Sequence, residues 1–475
     1  MKKAIIFSLS TLLLATSCVD SLTDYNVDIK NPATVPGVAL FSNAERTLTR
    51  TVVSTNVNLN PFRLYVQYWA ETSYPQESRY NIDTRQINRA FWDALYTGAL
   101  SNLSEAKKLI PNNQFTPAAV QKNQQACVEI LAVYTWKTLV DTYGNIPYTE
   151  ALDFNNAQPK YDDAKTIYAS LFTRLDAALA ALNPSVAGMG DADILYSGNV
   201  ASWIKFGNSL KLRMALTIAD DDAAKAATAA VQAAPNVFKS VSDKAQLQFI
   251  SSPPNTNPLW EDLIQSGRYD FVGADTFVNQ LNTLNDPRRP SYFKLGPGNA
   301  YVGGPYGALN TYNNFSAPGT RLEDPTLPGV LLSYSEVEFL LAEAAARNIA
   351  VGGTAASHYN AAVTASIVEA GGSASDATAY LAQPTVAYAT AAGTYKQKIG
   401  IQKWIALYDQ PVVAWTEWRR LDSPTLVKPA RAISEIPVRF PYPSTELNLN
   451  GANNAAAAAA IGGDLVTTKI FWDKF

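Results

Sequence analysis

"SEVEFLLAEAAARN" (335–348) and "TAASHYNAAVTASIVEA" (354–370) face each other across five residues, "IAVGG". Both stretches are rich in alanine and free of proline, which favours helix, and Gly352–Gly353 supplies a tight break between them. Two helices joined so closely must lie against one another, so this stretch reads as a helix pair. A second pair follows: "YKQKIGIQKWIALYDQ" (395–410) and "VVAWTEWRRL" (412–421), divided at Pro411.

The same grammar runs towards the N-terminus. Ile87, Phe91, Leu95, Ala99, Leu103, Ala106 and Ile110 step by three and four and mark one helix face. Val120, Cys127, Leu131 and Tyr134 form a second stripe, which Gly144 in "DTYGN" should stop. Ile167, Leu171, Leu175, Leu179 and Leu182 form a third, closed by Asn183–Pro184, and Trp203, Phe206, Leu210, Met214 and Thr217 a fourth. Pairs of this size, with alanine and tyrosine at close-packing positions, resemble degenerate tetratricopeptide-type repeats, although no 34-residue consensus recurs. One pair cannot bury its apolar face alone. The expected fold is therefore mainly α: helix pairs stacked as a curved right-handed scaffold.

Residues 235–330 break the pattern. Eleven prolines and several glycines exclude long helices, yet aromatic side chains are interleaved with the turns. This is a loop-rich insertion, and loops held on a rigid support are where binding sites concentrate. The tail from Pro437 to Phe475, with "NNAAAAAAIGGD", reads as irregular surface sequence.

The first residues set the destination. Lys2 and Lys3 precede an apolar run of about a dozen residues, too short to span a bilayer, which ends in "LLLATSC" (12–18). Small residues before a cysteine mark a lipoprotein signal. Residues 1–17 are expected to be removed, Cys18 acylated, 18–36 to serve as a tether, and 37–475 to form one domain. Each buried CH₂ contributes about 0.8 kcal/mol, so more than one acyl chain makes a stable anchor. Of 38 lysines and arginines two fall in the signal, leaving 36 against 41 acidic residues, a charge of −5 with no footprint for nucleic acid. One histidine and two cysteines offer no zinc-type spacing, so no metal or cofactor is expected.

In order along the chain stand "NPATVPGVALFSNA" (31–44), "FWDALYTGALSNLSEA" (91–106), "LVDTYGNIPYTEAL" (139–152), "WIKFGNSLKLRMAL" (203–216), "LSYSEVEFLLAEAA" (332–345), "QKWIALYDQPVVAWTEWRR" (402–420) and "IPVRFPYPSTELNLN" (436–450). Together they resemble the SusD/RagB family of outer-membrane lipoproteins, in its SusD-like branch, over nearly the whole mature chain. The resemblance implies a surface-facing, lipid-anchored protein that binds oligosaccharide or peptide and passes it to a SusC-like TonB-dependent transporter. It implies no ligand residue, because the matching phrases fall mostly on scaffold helices.

No catalytic constellation stands out. His358 lies inside a helix and Cys127 on an apolar stripe, which suits an inert buried thiol. Glu336, Glu338 and Glu343 are expected to be solvated or capping, Arg419 and Arg420 to make structural ion pairs, and "DPR" (286–288) to form a turn. The candidate ligand-binding residues are the loop aromatics Trp260, Tyr269, Tyr292, Tyr301, Tyr306, Tyr312 and Phe315, with Tyr68, Trp69, Tyr74 and Tyr80 from "YVQYWAETSYPQESRY". Sugar rings stack their C–H faces on such planes, and hydroxyls meet the polar edge. Packing suits any single one of them; the expectation is that several converge. Two other classes stay open: a helical glycan-degrading enzyme, which would need two facing carboxylates, and a protein-binding repeat scaffold with no small-molecule site.

Overall fold

The computed structural model describes residues 35–82 and 85–475. The signal, Cys18 and nearly all of the tether lie outside the described residues.

Helix α1 (Gly37–Val53) opens the domain, and strand β1 (Trp69–Glu71) follows. The long stripe beginning at Ile87 divides into α2 (Ile87–Asp93), a π-helical stretch (Ala94–Leu100) and α3 (Ser101–Leu109). The π turn lets this run pack closely on α1: a Cβ at Gly98 would sit 2.7 Å from the Thr47 methyl. Helix α4 (Ala118–Tyr143) stops where predicted, because Gly144 takes φ 81°. Strands β2 (Ile146–Pro147) and β3 (Tyr161–Asp162) lead into α5 (Ala164–Ala181), which packs back on α4.

Helices α6 (Val200–Thr217) and α7 (Ala223–Ala233) make the next pair. Beyond the insertion, α9 (Tyr334–Ala346) with α10 (Ala355–Glu369) form the pair read first in the sequence. After α11 (Ala374–Leu381) come α12 (Tyr395–Ala406) and α13 (Pro411–Leu421). The helices begin where side chains take over orphan amides: Ser333 accepts from Glu336 N, and Thr354, Ser373 and Thr394 each form capping boxes. Helix α6 packs on α5 and on α9, and α9 packs on α12, so the pairs stack. The fold is predominantly α-helical, as expected.

The insertion contributes β4 (Ala245–Leu247), β5 (Phe271–Gly273), α8 (Asp275–Thr283) and β6 (Gly329–Leu332). Among the described residues the strands make three two-stranded antiparallel ribbons: β1–β5, β2–β3 and β4–β6. The ribbon of β1 with β5 matters most, because it aligns Glu71 with Phe271 and fastens the early aromatic cluster to the insertion.

Two expectations change. The tail is not irregular throughout: α14 (Ser444–Leu449) and α15 (Gly451–Ala460) form within it, because an alanine run favours helix over any other state. Farther on, Trp472 is buried, its indole donates to Asp141 Oδ1 at 3.0 Å, and the Arg419 guanidinium lies between Trp415 and Trp472 at 3.5 and 4.8 Å from their ring centroids.

The glutamates of α9 are not solvated either. Glu336 and Glu343 are fully buried and Glu338 nearly so. Arg213 clamps Glu336 with bonds of 2.6 and 2.7 Å, and Arg420 clamps Glu343 with 2.6 and 2.5 Å. Arg420 also reaches Glu417 at 2.5 Å, and Lys403 reaches Glu417 at 2.7 Å. Glu338 holds His358 Nδ1 at 2.6 Å and raises the imidazole above its usual range. In the "DPR" turn, Asp286 and Arg288 form a wholly buried pair at 2.6 Å.

Candidate functional site

The eleven candidate aromatics separate by burial. Tyr68, Trp69, Tyr80, Tyr292 and Tyr306 are core residues, which corrects their assignment to an exposed surface. For Tyr68, Trp69 and Tyr292 the physical reason is internal satisfaction of their polar edges. Tyr68 donates to the Trp404 carbonyl, the Trp69 indole donates to Tyr408 Oη at 2.7 Å, and Tyr292 donates to the Ile405 carbonyl at 3.1 Å. Tyr292 stacks on Tyr408 at 4.1 Å between centroids, and Tyr80 lies against Tyr306 at 6.3 Å.

The other six reach the surface in part or in full. Tyr301 lies under the Arg289 guanidinium at 5.5 Å, and Phe315 is half-buried against the core. Trp260 is half-buried in a short turn (Pro258–Trp260). Tyr269, 66% exposed, pairs with the half-buried Tyr312 at 4.8 Å and a 50° tilt. Tyr74, 61% exposed, stands at the mouth of the adjoining cleft.

That cleft has a volume of about 430 Å³ and is lined by Thr55, Asn56, Asn58, Arg85, Asp262 and Arg268, among others. It begins where α1 ends and is closed on its far side by the β1–β5 ribbon. The Thr72 amide donates to the Asp270 carbonyl at 2.9 Å and the Thr72 hydroxyl to the Tyr269 carbonyl at 2.5 Å, which ties Tyr269 to the ribbon's end. Arg268 forks onto Asp270 at 2.5 and 3.0 Å. A second trough, of about 360 Å³, shares Asn56 and Asp262 with the first and runs past Arg46, Arg50 and Glu261. Trp260 lies between two of its lining residues, Pro258 and Glu261.

The sequence reading missed all of these polar side chains. The signal was present in "STNVNLN" (54–60), where Asn56 Oδ1 accepts the Asn58 amide at 3.0 Å and turns the chain. The arrangement offers amides, guanidinium groups and carboxylates to hydroxyls, with flat aromatic faces alongside. The charges balance inside the cleft, so it suits a neutral, hydroxyl-rich ligand.

Asp262, at the junction of the two troughs, accepts from the Thr55 hydroxyl at 2.9 Å. Burial, aided by Glu261 and Asp270, pushes its carboxyl up to about 6. A folded-state value above the unfolded one means the fold binds this proton more tightly. Asp262 therefore supports stability at low pH, and that support is lost as pH rises from about 4 to about 6. Asp262→Asn should flatten this part of the stability–pH curve, as measured by urea unfolding at intervals across that range; an unchanged slope would refute the assignment.

Among the described residues no group of three or more His, Cys, Asp or Glu side chains could hold a metal ion. Cys127 is buried, and burial pushes its thiol up. No helix among the described residues is long and apolar enough to cross a membrane.

The comparisons agree with this architecture. No curated protein matches the chain. Among solved structures, a chitin-binding protein is 28% identical with a TM-score of 0.80, the match covering 92% of this chain and 100% of that one. A chitin-binding SusD homolog from Flavobacterium johnsoniae is 26% identical with a TM-score of 0.78, covering 92% and 98%. A SusD homolog from Bacteroides uniformis is also 26% identical, with a TM-score of 0.76, covering 92% and 99%. The SusD-like family model, described as "Starch-binding associating with outer membrane", matches residues 29–443. The chain belongs to the SusD-like family of outer-membrane nutrient-binding proteins, whose members bind their ligands without catalysis.

Proposed function

We propose that the cleft beside Tyr74, with the Tyr269–Tyr312 pair on its rim, captures an oligosaccharide. The observation that carries this reading is an aromatic pair whose exposed member, Tyr269, stands between two residues of a charge-balanced polar cleft, Arg268 and Asp270. A pyranose stacks on the tyrosines, and its hydroxyls reach Asn56, Asn58, Arg85 and Arg268. The connected second trough gives room for further sugar units, so affinity should rise with chain length until both troughs are filled.

Two similar solved proteins are described as chitin-binding, which favours chitooligosaccharides as the first ligands to test. The family description names starch, so maltooligosaccharides are the comparison. Cys18, acylated, holds the mature protein to the outer membrane, and a SusC-type TonB-dependent transporter receives the glycan. Proteins of this family typically work with such a transporter.

Isothermal titration with chitohexaose and maltohexaose tests the site. Tyr269→Ala and Tyr312→Ala should each weaken binding by about 0.5–1.5 kcal/mol. Wild-type affinity in both variants would show that the rings are not the platform. Binding that leaves the glycan intact separates this reading from an enzyme. Mass spectrometry of the mature N-terminus tests the anchor, and recovery from outer membranes without any TonB-dependent barrel would count against the partner.

A further inference from the structure

The wall of the cleft rests on an unusual pair. Glu71 ends β1 with its side chain turned inward, and Glu77 lies in the turn that follows; they are 3% and 0% exposed. Ser78 donates to Glu71 Oε2 twice, from its amide at 2.9 Å and its hydroxyl at 2.7 Å. Ser78 follows Glu77 directly, so these two bonds bring the Glu71 carboxyl beside the Glu77 segment, and the Glu77 charge raises the Glu71 carboxyl. Neither Glu77 oxygen has a hydrogen-bond donor in good geometry among the described residues. Arg85 Nε stands 3.2 Å from Glu77 Oε1, and Arg85 also lines the cleft.

We propose that Glu71 and Glu77 hold one proton between them, and that this proton fastens the wall carrying Tyr74 and Arg85, so that its loss weakens glycan capture. The inference rests on reading the cleft as the glycan site.

The charge count supports it. Two buried carboxylates against one guanidinium leave an uncompensated negative charge, which a protein interior tolerates poorly. One retained proton makes the set neutral and supplies a donor where the buried Glu77 oxygens have none. Among the described residues no other cation forms an ion pair with either carboxyl. Arg79 spends its Nε on the Gly307 carbonyl at 2.8 Å, and Arg268 is paired with Asp270. Asn310 Nδ2 donates to the Glu71 carbonyl at 2.9 Å, not to its carboxyl. The phenols of Tyr80 and Tyr306, packed on the inner side, are raised by burial and stay neutral. Asp262 and Asp270, on the cleft side beyond Arg85, add only negative charge. Burial and mutual repulsion together hold the Glu71 carboxyl well above the usual carboxylate range.

The proton is therefore the bond between the turn around Glu77 and strand β1. When it leaves, attraction becomes repulsion across the same contact. The turn loosens, and it carries Tyr74 on one flank and Arg85 on the other. Glu71 and Glu77 act as positioning residues: neither needs to touch the glycan.

The test uses the mature protein and the variant Glu71→Gln, whose amide donates permanently. Infrared difference spectra (wild type minus E71Q) should show a protonated carboxyl band at neutral pH that disappears on alkalinisation. Hydrogen exchange of residues 72–82, compared between the two proteins at each pH, should quicken in the wild type only. Chitohexaose affinity should fall by about tenfold, the equivalent of 1.4 kcal/mol, across that interval in the wild type and stay flat in E71Q. A missing carboxyl band at neutral pH, or equal pH dependence in both proteins, overturns the proposal. If chitohexaose and maltohexaose bind neither protein at any pH, the reading of the cleft falls, while the infrared and exchange results still decide the dyad.

Discussion

Replacing Arg420 by alanine is expected to lower the unfolding free energy by about 3–5 kcal/mol. The guanidinium is buried with Glu343 and Glu417, both bound at 2.5–2.6 Å, and these carboxylates are held below their usual range chiefly by Arg420 against the effect of burial. Without it, Lys403 still serves Glu417, but Glu343 loses its two-pronged partner and keeps only Arg347 at 2.9 Å, which Asp220 also holds. Its energetic weight is the cost of buried carboxylate oxygens left without donors, not the strength of the pair. The pH dependence should reverse sign. In the wild type the depressed carboxylates contribute stability above the usual carboxylate range, and it is lost as pH falls. In Arg420→Ala at least one of them is raised above its unfolded value, so the variant should recover stability on acidification. Guanidinium unfolding at two pH values decides this. A loss below about 1 kcal/mol would mean that water or Arg347 replaces Arg420 freely.

The second large effect is expected at Trp415→Ala, again about 3–5 kcal/mol. Trp415 is fully buried, 4.7 Å from Phe62 and 6.0 Å from Phe440 between centroids, with its indole donating to the Pro437 carbonyl at 2.8 Å. It joins three segments far apart in the chain: the turn after α1, helix α13 and the segment before α14. Truncation removes the ring, opens a cavity, leaves that carbonyl without its donor and takes away the plane on which Arg419 lies. Trp415→Phe should cost less, since most of the apolar volume is kept. Equal losses for the two would show that the indole N–H dominates.

Helix pairs were legible because their signals are local. Spacing of three and four, a glycine at 144 and caps such as Ser333 and Thr354 are properties of a few neighbouring residues. Side-chain fate within those helices was less legible. Glu336 and Glu343 look like surface residues until Arg213 and Arg420 arrive from other helices, 123 and 77 positions away. The same holds for the aromatics. Tyr74 and Tyr269 were legible as exposed loop rings, whereas Tyr68, Trp69 and Tyr292 are buried by Trp404, Ile405 and Tyr408, which no local pattern announces. The polar cleft was invisible for a related reason: Asn56, Arg85, Asp262 and Arg268 meet only because β1 pairs with β5.

The clasp at Trp472 has a consequence for the order in which the chain closes. Its bond to Asp141 spans 331 positions, and Arg419 is held between rings from helix α13 and from that final stretch. A nascent polypeptide cannot close this contact until residue 472 has left the ribosome. Until then Asp141 has Lys137 and Tyr168, and Arg419 has, of its two rings, the Trp415 ring alone, so the clasp between them and the last stretch stays open.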